Sequence, residues 1–164
     1  MLIFRWFAYF SMTFALLTSN VYGQSIEIKG LSIGLSKAAV EQKFPSWSGF
    51  TIAGASAKFP HSPLETSYFD DKLDSLFFFF EEDSFAVVLA AVKQKYPNIS
   101  CAESQVGNAM GAKFTQLECT ISDRLSTLQL TRFVSDISTS SLTLTSRRLL
   151  EEVSQKAKRT KKDL

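Results

Sequence analysis

Two clusters of carboxylates are the residues of this chain whose types and spacing could support catalysis. They are Asp70, Asp71 and Asp74, followed by Glu81, Glu82 and Asp83. Neighbouring carboxylates can separate their pKa values, so that one acts as a general acid and the other as a general base in a hydrolase. The first cluster precedes a predicted strand and the second a predicted helix, where acidic residues form turns and helix N-termini. We therefore favour a structural role and keep a small exported hydrolase as the alternative.

Other motifs for metal, cofactor or nucleophile chemistry are weak. The segment Asp70–Asp74 lacks the alternating carboxylates, central glycine and final glutamate of a calcium loop. The only histidine, His61, stands in a Pro-rich loop with no nucleophile motif beside it. The small-residue loop Gly107–Gly111 lacks the lysine of a phosphate-binding loop. The sequence thus predicts no catalytic residue, no metal and no cofactor.

The N-terminus has the pattern of a secretory signal peptide, residues 1–23. Arg5 precedes an apolar run from Trp6 to Leu17, and small residues end at Gly23, where we expect cleavage. The run is shorter than the roughly 20 residues of a spanning helix, although an uncleaved membrane anchor is the competing interpretation. No cysteine precedes Cys101, so a lipoprotein anchor is excluded. We expect a periplasmic or secreted protein with no transmembrane segment after cleavage.

Cys101 and Cys119 are the two cysteines, and both lie in the part expected to be exported. In an oxidising compartment such a pair predicts one disulfide, here joining the loop after the second helix to the next strand. A redox or metal role is disfavoured because the spacing is not Cys-x-x-Cys.

Charge is distributed unevenly along the chain. Residues 24–146 carry ten Lys or Arg and thirteen Asp or Glu, whereas residues 147–164 carry seven basic and three acidic residues. The slightly acidic body argues against nucleic acid as a partner. The basic C-terminal segment is predicted to be a helix or tail, and we expect it to dock on the sheet of the same chain. The alternative is a weak contact with anionic lipid or with an acidic partner.

Apolar periodicity between residues 24 and 146 predicts a single α+β domain, with two helices packed on an antiparallel meander sheet. Ser36 is a good N-cap for the first helix, and Pro45 ends it at Phe44. The run Phe77–Phe80 predicts a central strand covered on both faces. Asp83 or Ser84 caps the second helix. The other predicted strands span residues 25–29, 50–55, 113–121, 126–134 and 142–145.

A short internal echo suggests a tandem helix-loop-strand repeat. Residues 38–46 read AAVEQKFPS and residues 90–98 read AAVKQKYPN, and Ala-Lys-Phe follows each, at 57–59 and 112–114. The helix start Gly34-Leu35-Ser36-Lys37-Ala38-Ala39-Val40 resembles the Gly-hydrophobic-Ser/Thr-x-x-x-Val motif of small exported bacterial domains. These include the β-lactamase inhibitory proteins, themselves built from two repeats, and the BamE/SmpA-type outer-membrane assembly proteins.

The resemblance covers seven residues and implies an exported domain that binds proteins. It transfers no binding residue, because the two families use different surfaces and this chain lacks the lipobox cysteine of the assembly proteins. As tentative contact residues we name Trp47, His61 and Tyr68, since aromatic side chains are enriched in binding hot spots, although Trp47 is more readily a core residue. The predicted function is a non-enzymatic binding module: an inhibitor, a protector or an envelope assembly factor whose partner is another exported or envelope protein.

Overall fold

The computed structural model describes residues 25–47, 49–57, 65–107, 110–134 and 136–162. The predicted signal peptide, His61, and Lys58 and Phe59 of the second echo lie outside the described residues. Within the described ranges three α-helices form: α1 (Lys37–Lys43), α2 (Phe85–Lys95) and α3 (Arg147–Lys162). The strands are β1 (Glu27–Ile28), β2 (Leu31–Ser32), β3 (Thr51–Ile52), β4 (Ala55–Ser56), β5 (Glu65–Phe69), β6 (Lys72–Glu81), β7 (Ser100–Gly107), β8 (Lys113–Ser122), β9 (Ser126–Thr131) and β10 (Thr139–Ser146).

Six of these strands form one antiparallel sheet in the order β5-β6-β10-β9-β8-β7. Helix α2 carries the chain from β6 to the far edge of the sheet. The meander β7 to β10 then returns, so that β10 closes the sheet against β6. The predicted α+β class is confirmed, and the long meander places β7 at an outer edge.

One face of the sheet carries the hydrophobic core. Leu76, Phe78 and Phe80 alternate along β6, and each has essentially no exposed surface. Leu142 and Leu144 of β10 lie opposite Phe78 and Leu76. The helices add Val40 from α1 and Val88 and Val92 from α2 to this cluster. The intervening Phe77 is only half-buried on the other face, so β6 is not fully covered on both faces as the aromatic run had predicted.

The helix ends of the echo have the same local geometry. The Phe44 N–H donates to Val40 at 2.9 Å, and the Tyr96 N–H donates to Val92 at 2.8 Å. Phe44 has φ −134° and ψ 73°, and Tyr96 has φ −128° and ψ 76°. At its other end α1 has the predicted cap, because the Ser36 Oγ accepts from the Ala39 N–H at 3.2 Å. The shared sequence therefore builds the same helix terminus twice.

The second helix begins differently from its prediction. A single 3₁₀ turn, Glu82–Ser84, leads into α2, and Ser84 occupies the N-cap position in a helical conformation without a side-chain hydrogen bond. The predicted strand at 50–55 is instead the β3–β4 hairpin, whose turn places Ala53 at φ 50° and Gly54 at φ 84°. The first predicted strand shortens to the two residues of β1.

The prediction that the basic C-terminal segment docks on its own sheet is wrong. Every residue from Leu150 to Thr160 is exposed, so α3 meets the body only at its first turn. There the Ser146 Oγ accepts from the Leu149 N–H at 3.0 Å, and the Arg147 N–H donates to the Leu125 carbonyl at 2.9 Å. The helix therefore projects from one end of the sheet.

Candidate functional site

The first carboxylate cluster is divided between a turn and an ion pair. Asp70 and Asp71 connect β5 to β6 with φ values of 48° and 57°, the left-handed conformation that a two-residue hairpin turn requires. Aspartate tolerates this conformation better than most residues. The structural interpretation of these two residues thus has a direct geometric reason.

Asp74 is the buried member of that cluster, with a side chain only 8% exposed. Its Oδ1 accepts from the Ser146 hydroxyl at 2.6 Å, and its Oδ2 lies 2.5 Å from an Arg148 guanidinium nitrogen. The hydrogen bond that Arg148 donates to Asp74 is the main reason why the pKa of Arg148 is raised. Arg148 also pairs with Glu152 and lies 3.8 Å from the centre of the Phe69 ring. Asp74 therefore anchors the base of α3.

The second cluster is engaged in the same way. Glu82 forms an ion pair with Arg132, whose guanidinium carbon lies 4.6 Å from the centre of the Phe133 ring. Asp74 and Glu82 stand at opposite ends of β6, about 26 Å apart at the usual rise of roughly 3.3 Å per residue. The two clusters are therefore separate, and in each of them one carboxylate is held by an arginine, Asp74 by Arg148 and Glu82 by Arg132.

The structure describes two of the three tentative contact residues, Trp47 and Tyr68. Trp47 is half-buried and stacks on Phe44, with ring centres 5.3 Å apart, while the Phe50 ring lies 5.7 Å away edge-on. That favours the core interpretation of Trp47. Tyr68 is half-buried on β5, with the Lys37 Nζ 5.9 Å from its ring centre. His61 lies outside the described residues.

A groove of about 780 Å³ lies between the start of the described chain, the end of α2 and the β8–β9 turn. Its charged groups bind the chain itself. Lys95 pairs with Glu27 at 3.0 Å, and although burial acts in the opposite direction, this hydrogen bond and nearby charges raise the pKa of Lys95. The Tyr96 hydroxyl donates to the Glu27 carbonyl at 2.8 Å. The groove therefore lies at the contact between the N-terminal segment and the sheet.

Asp123 completes this contact. Its Oδ2 accepts from the Ile26 N–H at 2.8 Å, and its Oδ1 accepts from the Leu125 and Ser126 N–H groups at 2.8 and 2.7 Å. Partial burial would raise the pKa of Asp123, but these bonds and one from the Ser126 hydroxyl outweigh it and lower the pKa below its ordinary value. A carboxylate therefore ties together segments 97 residues apart.

The change Asp123→Asn is expected to lower the free energy of unfolding by about 1 kcal/mol at pH 7, because an amide group would face the Ile26 N–H donor. The lowered pKa makes the wild-type stabilisation complete above the ordinary carboxyl pKa of 3.8 and lost as pH falls through the lower folded value. Urea unfolding of both proteins between pH 7 and pH 2 measures this. A difference that stays constant down to pH 2 would contradict the assignment.

Within the described ranges, no three or more His, Cys, Asp or Glu residues are grouped so that they could hold a metal ion. Over the same residues, no helix has the length and apolar character needed to cross a membrane. The predicted disulfide is present between Cys101 and Cys119. Its setting differs from the prediction, because Cys101 lies within strand β7 rather than in a loop.

Strand β7 is the feature that the sequence reasoning missed. All eight of its residues pair with β8, yet every one except Val106 is exposed. In the part of the chain that the structure describes, no strand lies on its outer side. Prolines, bulges and charged residues usually protect an edge strand from pairing with another chain. Strand β7 has no proline and no bulge, and Glu103 is its single charged residue.

The outward backbone groups of β7 can be assigned from its register. Cys101 and Cys119 face each other with Cα atoms 4.0 Å apart, as in narrow pairs that share no hydrogen bonds. Leu117 lies opposite Glu103 in this register. Its carbonyl accepts from the Arg132 N–H at 2.9 Å, on the side of β8 that faces away from β7. The N–H and C=O groups of Cys101, Glu103 and Gln105 therefore point away from the sheet.

Comparison of the chain with protein-family models, with curated proteins and with solved structures finds no significant match.

Proposed function

We propose that this chain is an exported, non-enzymatic protein-binding module, periplasmic or secreted, that takes an extended segment of another exported or envelope protein along β7. The observation that carries the proposal is the uncovered eight-residue edge, with backbone groups aligned for a further strand. Strand addition of this kind draws its affinity from main-chain hydrogen bonds, and side chains on alternate positions select the partner.

Rigidity of the edge supports this proposal. The disulfide fixes one end of β7 to β8, and the Ser104 hydroxyl and the Gln105 amide each bond across to β8, at 3.2 and 3.0 Å. A preorganised edge loses little conformational entropy when a partner strand is added. The exposed side chains of β7 are mostly small and polar, so the partner would be recognised mainly through its backbone.

The same features suit each of the three kinds of binding protein that the sequence predicts. An inhibitor, a protector and an envelope assembly factor all need a stable surface that holds another chain without changing it. Of the carboxylates that a hydrolase could use, Asp74 and Glu82 are paired with Arg148 and Arg132. We also propose that the basic C-terminal segment contacts an anionic surface.

Glu103→Pro is expected to weaken partner capture at least tenfold, because it removes an outward N–H and places a ring where an added strand would approach. The fold should be retained, since that N–H does not pair with β8 and proline is tolerated on edge strands. Affinity capture of the tagged protein from periplasmic or secreted extract, with quantification of what is retained, measures the effect.

Glu103→Ala is the matched control, because it removes the same charge and keeps the N–H. We expect it to capture the partner nearly as well as wild type, and circular dichroism melts should show both variants folded. Equal capture by the proline variant would exclude β7 as the binding edge. Equal loss in both variants would instead assign binding to the Glu103 carboxylate.

A further inference from the structure

Helix α3 has a strongly amphipathic surface that its own body does not cover. Leu149, Leu150, Val153 and Ala157 follow one another at spacings of one, three and four residues and form one apolar stripe, which we call the α3 stripe. Leu150 is 42% and Val153 is 58% exposed. The helix from 147 to 162 carries seven basic and two acidic residues, so it has a net charge of +5.

The orientation of this helix is fixed at its base. Arg148 joins Asp74 on β6 to Glu152 one turn along α3, and the Arg147 Nε donates to the Asp123 carbonyl at 2.8 Å. The Ser146 Oγ caps the first turn. These bonds hold the first turn of α3 at the end of the sheet, so a surface that binds the helix lies next to that end of the body.

That end of the body has the same chemistry as the helix. A shallow cavity of about 420 Å³ at the base of α3 is lined by Phe69, Lys72, Arg124, Leu125 and Arg147, which we call the root cluster. Arg148 and two carboxylates, Asp70 and Asp74, also line it, so four cations stand against two acidic residues, one of which is paired with Arg148. Phe69 is 49% and Leu125 is 60% exposed. Exposed apolar side chains among cations are the combination that enters the headgroup region of an anionic bilayer.

We propose that α3 and the root cluster together form a peripheral binding surface for an anionic lipid bilayer. The α3 stripe enters the boundary between headgroups and acyl chains, Lys156 at its border contacts lipid phosphates, and the root cluster sets the depth of the body. This deepens the contact with an anionic surface proposed above and rests on it, but it does not depend on protein binding at β7. Strand β7, at an outer edge of the sheet, remains available for a protein partner.

The test uses co-sedimentation with vesicles of phosphatidylcholine alone or with added phosphatidylglycerol, after mass spectrometry has defined the N-terminus of the exported protein. We expect binding only to the anionic vesicles, and weaker binding as salt rises. Leu150→Gln with Val153→Gln should weaken it at least tenfold, because two apolar side chains leave the bilayer. Lys156→Glu should weaken it fivefold or more.

Lys113→Glu is the matched control, because it makes the same charge change at an exposed residue at the far end of β8. It should bind as wild type does, and circular dichroism should show every variant folded. Equal losses for Lys113→Glu and Lys156→Glu, or equal binding to both vesicle types, would overturn the proposal. Self-association sensitive to the glutamine double variant, with no vesicle binding, would overturn it in favour of a second copy on the stripe.

Discussion

Replacing Cys101 and Cys119 together with alanine is expected to lower the free energy of unfolding by about 3 kcal/mol, because the disulfide closes a short loop in the unfolded chain. The two residues are 18 positions apart. Alanine is preferred to serine because Cys119 is fully buried and a hydroxyl there would add a desolvation cost. Urea unfolding of the oxidised wild type and the double variant measures the difference.

The same variant also tests the proposed function. Among the described residues β7 pairs only with β8, and all its side chains except that of Val106 are exposed, so without the disulfide its end should fray. Partner capture should then fall more steeply than the lost stability alone explains. Reduced wild type is the control and should match the variant in both measurements. Full capture by the folded variant would show that the disulfide does not support a binding edge.

Features predicted correctly from sequence are those that neighbouring residues determine. Ser36 caps α1 because its hydroxyl reaches a backbone N–H three residues on, and Pro45 ends the same helix by excluding helical geometry at Phe44. The disulfide followed from having two cysteines in a chain that the sequence predicts to be exported. Each of these inferences needs only a few neighbouring residues or the number of cysteines, so it can be made without knowing the order of the strands.

Features that were missed depend on what lies beside an element. Strand β7 has no apolar alternation because an edge strand can be exposed on both faces, so its sequence resembles a loop. The apolar positions of α3 predict one apolar face, and docking on the sheet was wrong because such a pattern does not say what covers it. The pairing of Arg148 with Asp74 joins residues 74 positions apart, which only the strand order brings together.

Phe78→Ala is expected to lower the free energy of unfolding by about 3 to 5 kcal/mol, the usual range for removing a fully buried phenylalanine. Phe78 has no exposed surface, and its ring centre lies 5.7 Å from those of both Phe50 and Phe80. Its loss leaves a cavity in the middle of the sheet, where β6 and β10 pair and the rigid neighbours cannot close it. Thermal or urea unfolding measures the change.

Phe77→Ala is the matched control, because it removes the same side chain from the adjacent residue on the opposite, half-buried face of β6. If only one face of the strand carries the core, Phe77→Ala should cost less than half as much as Phe78→Ala, since less apolar surface leaves contact with protein. Equal costs would mean that the second face is covered as completely as the first, as the unbroken aromatic run had predicted. The ratio of the two measurements therefore decides whether the face of the sheet that carries Phe77 is open to solvent, independently of any partner.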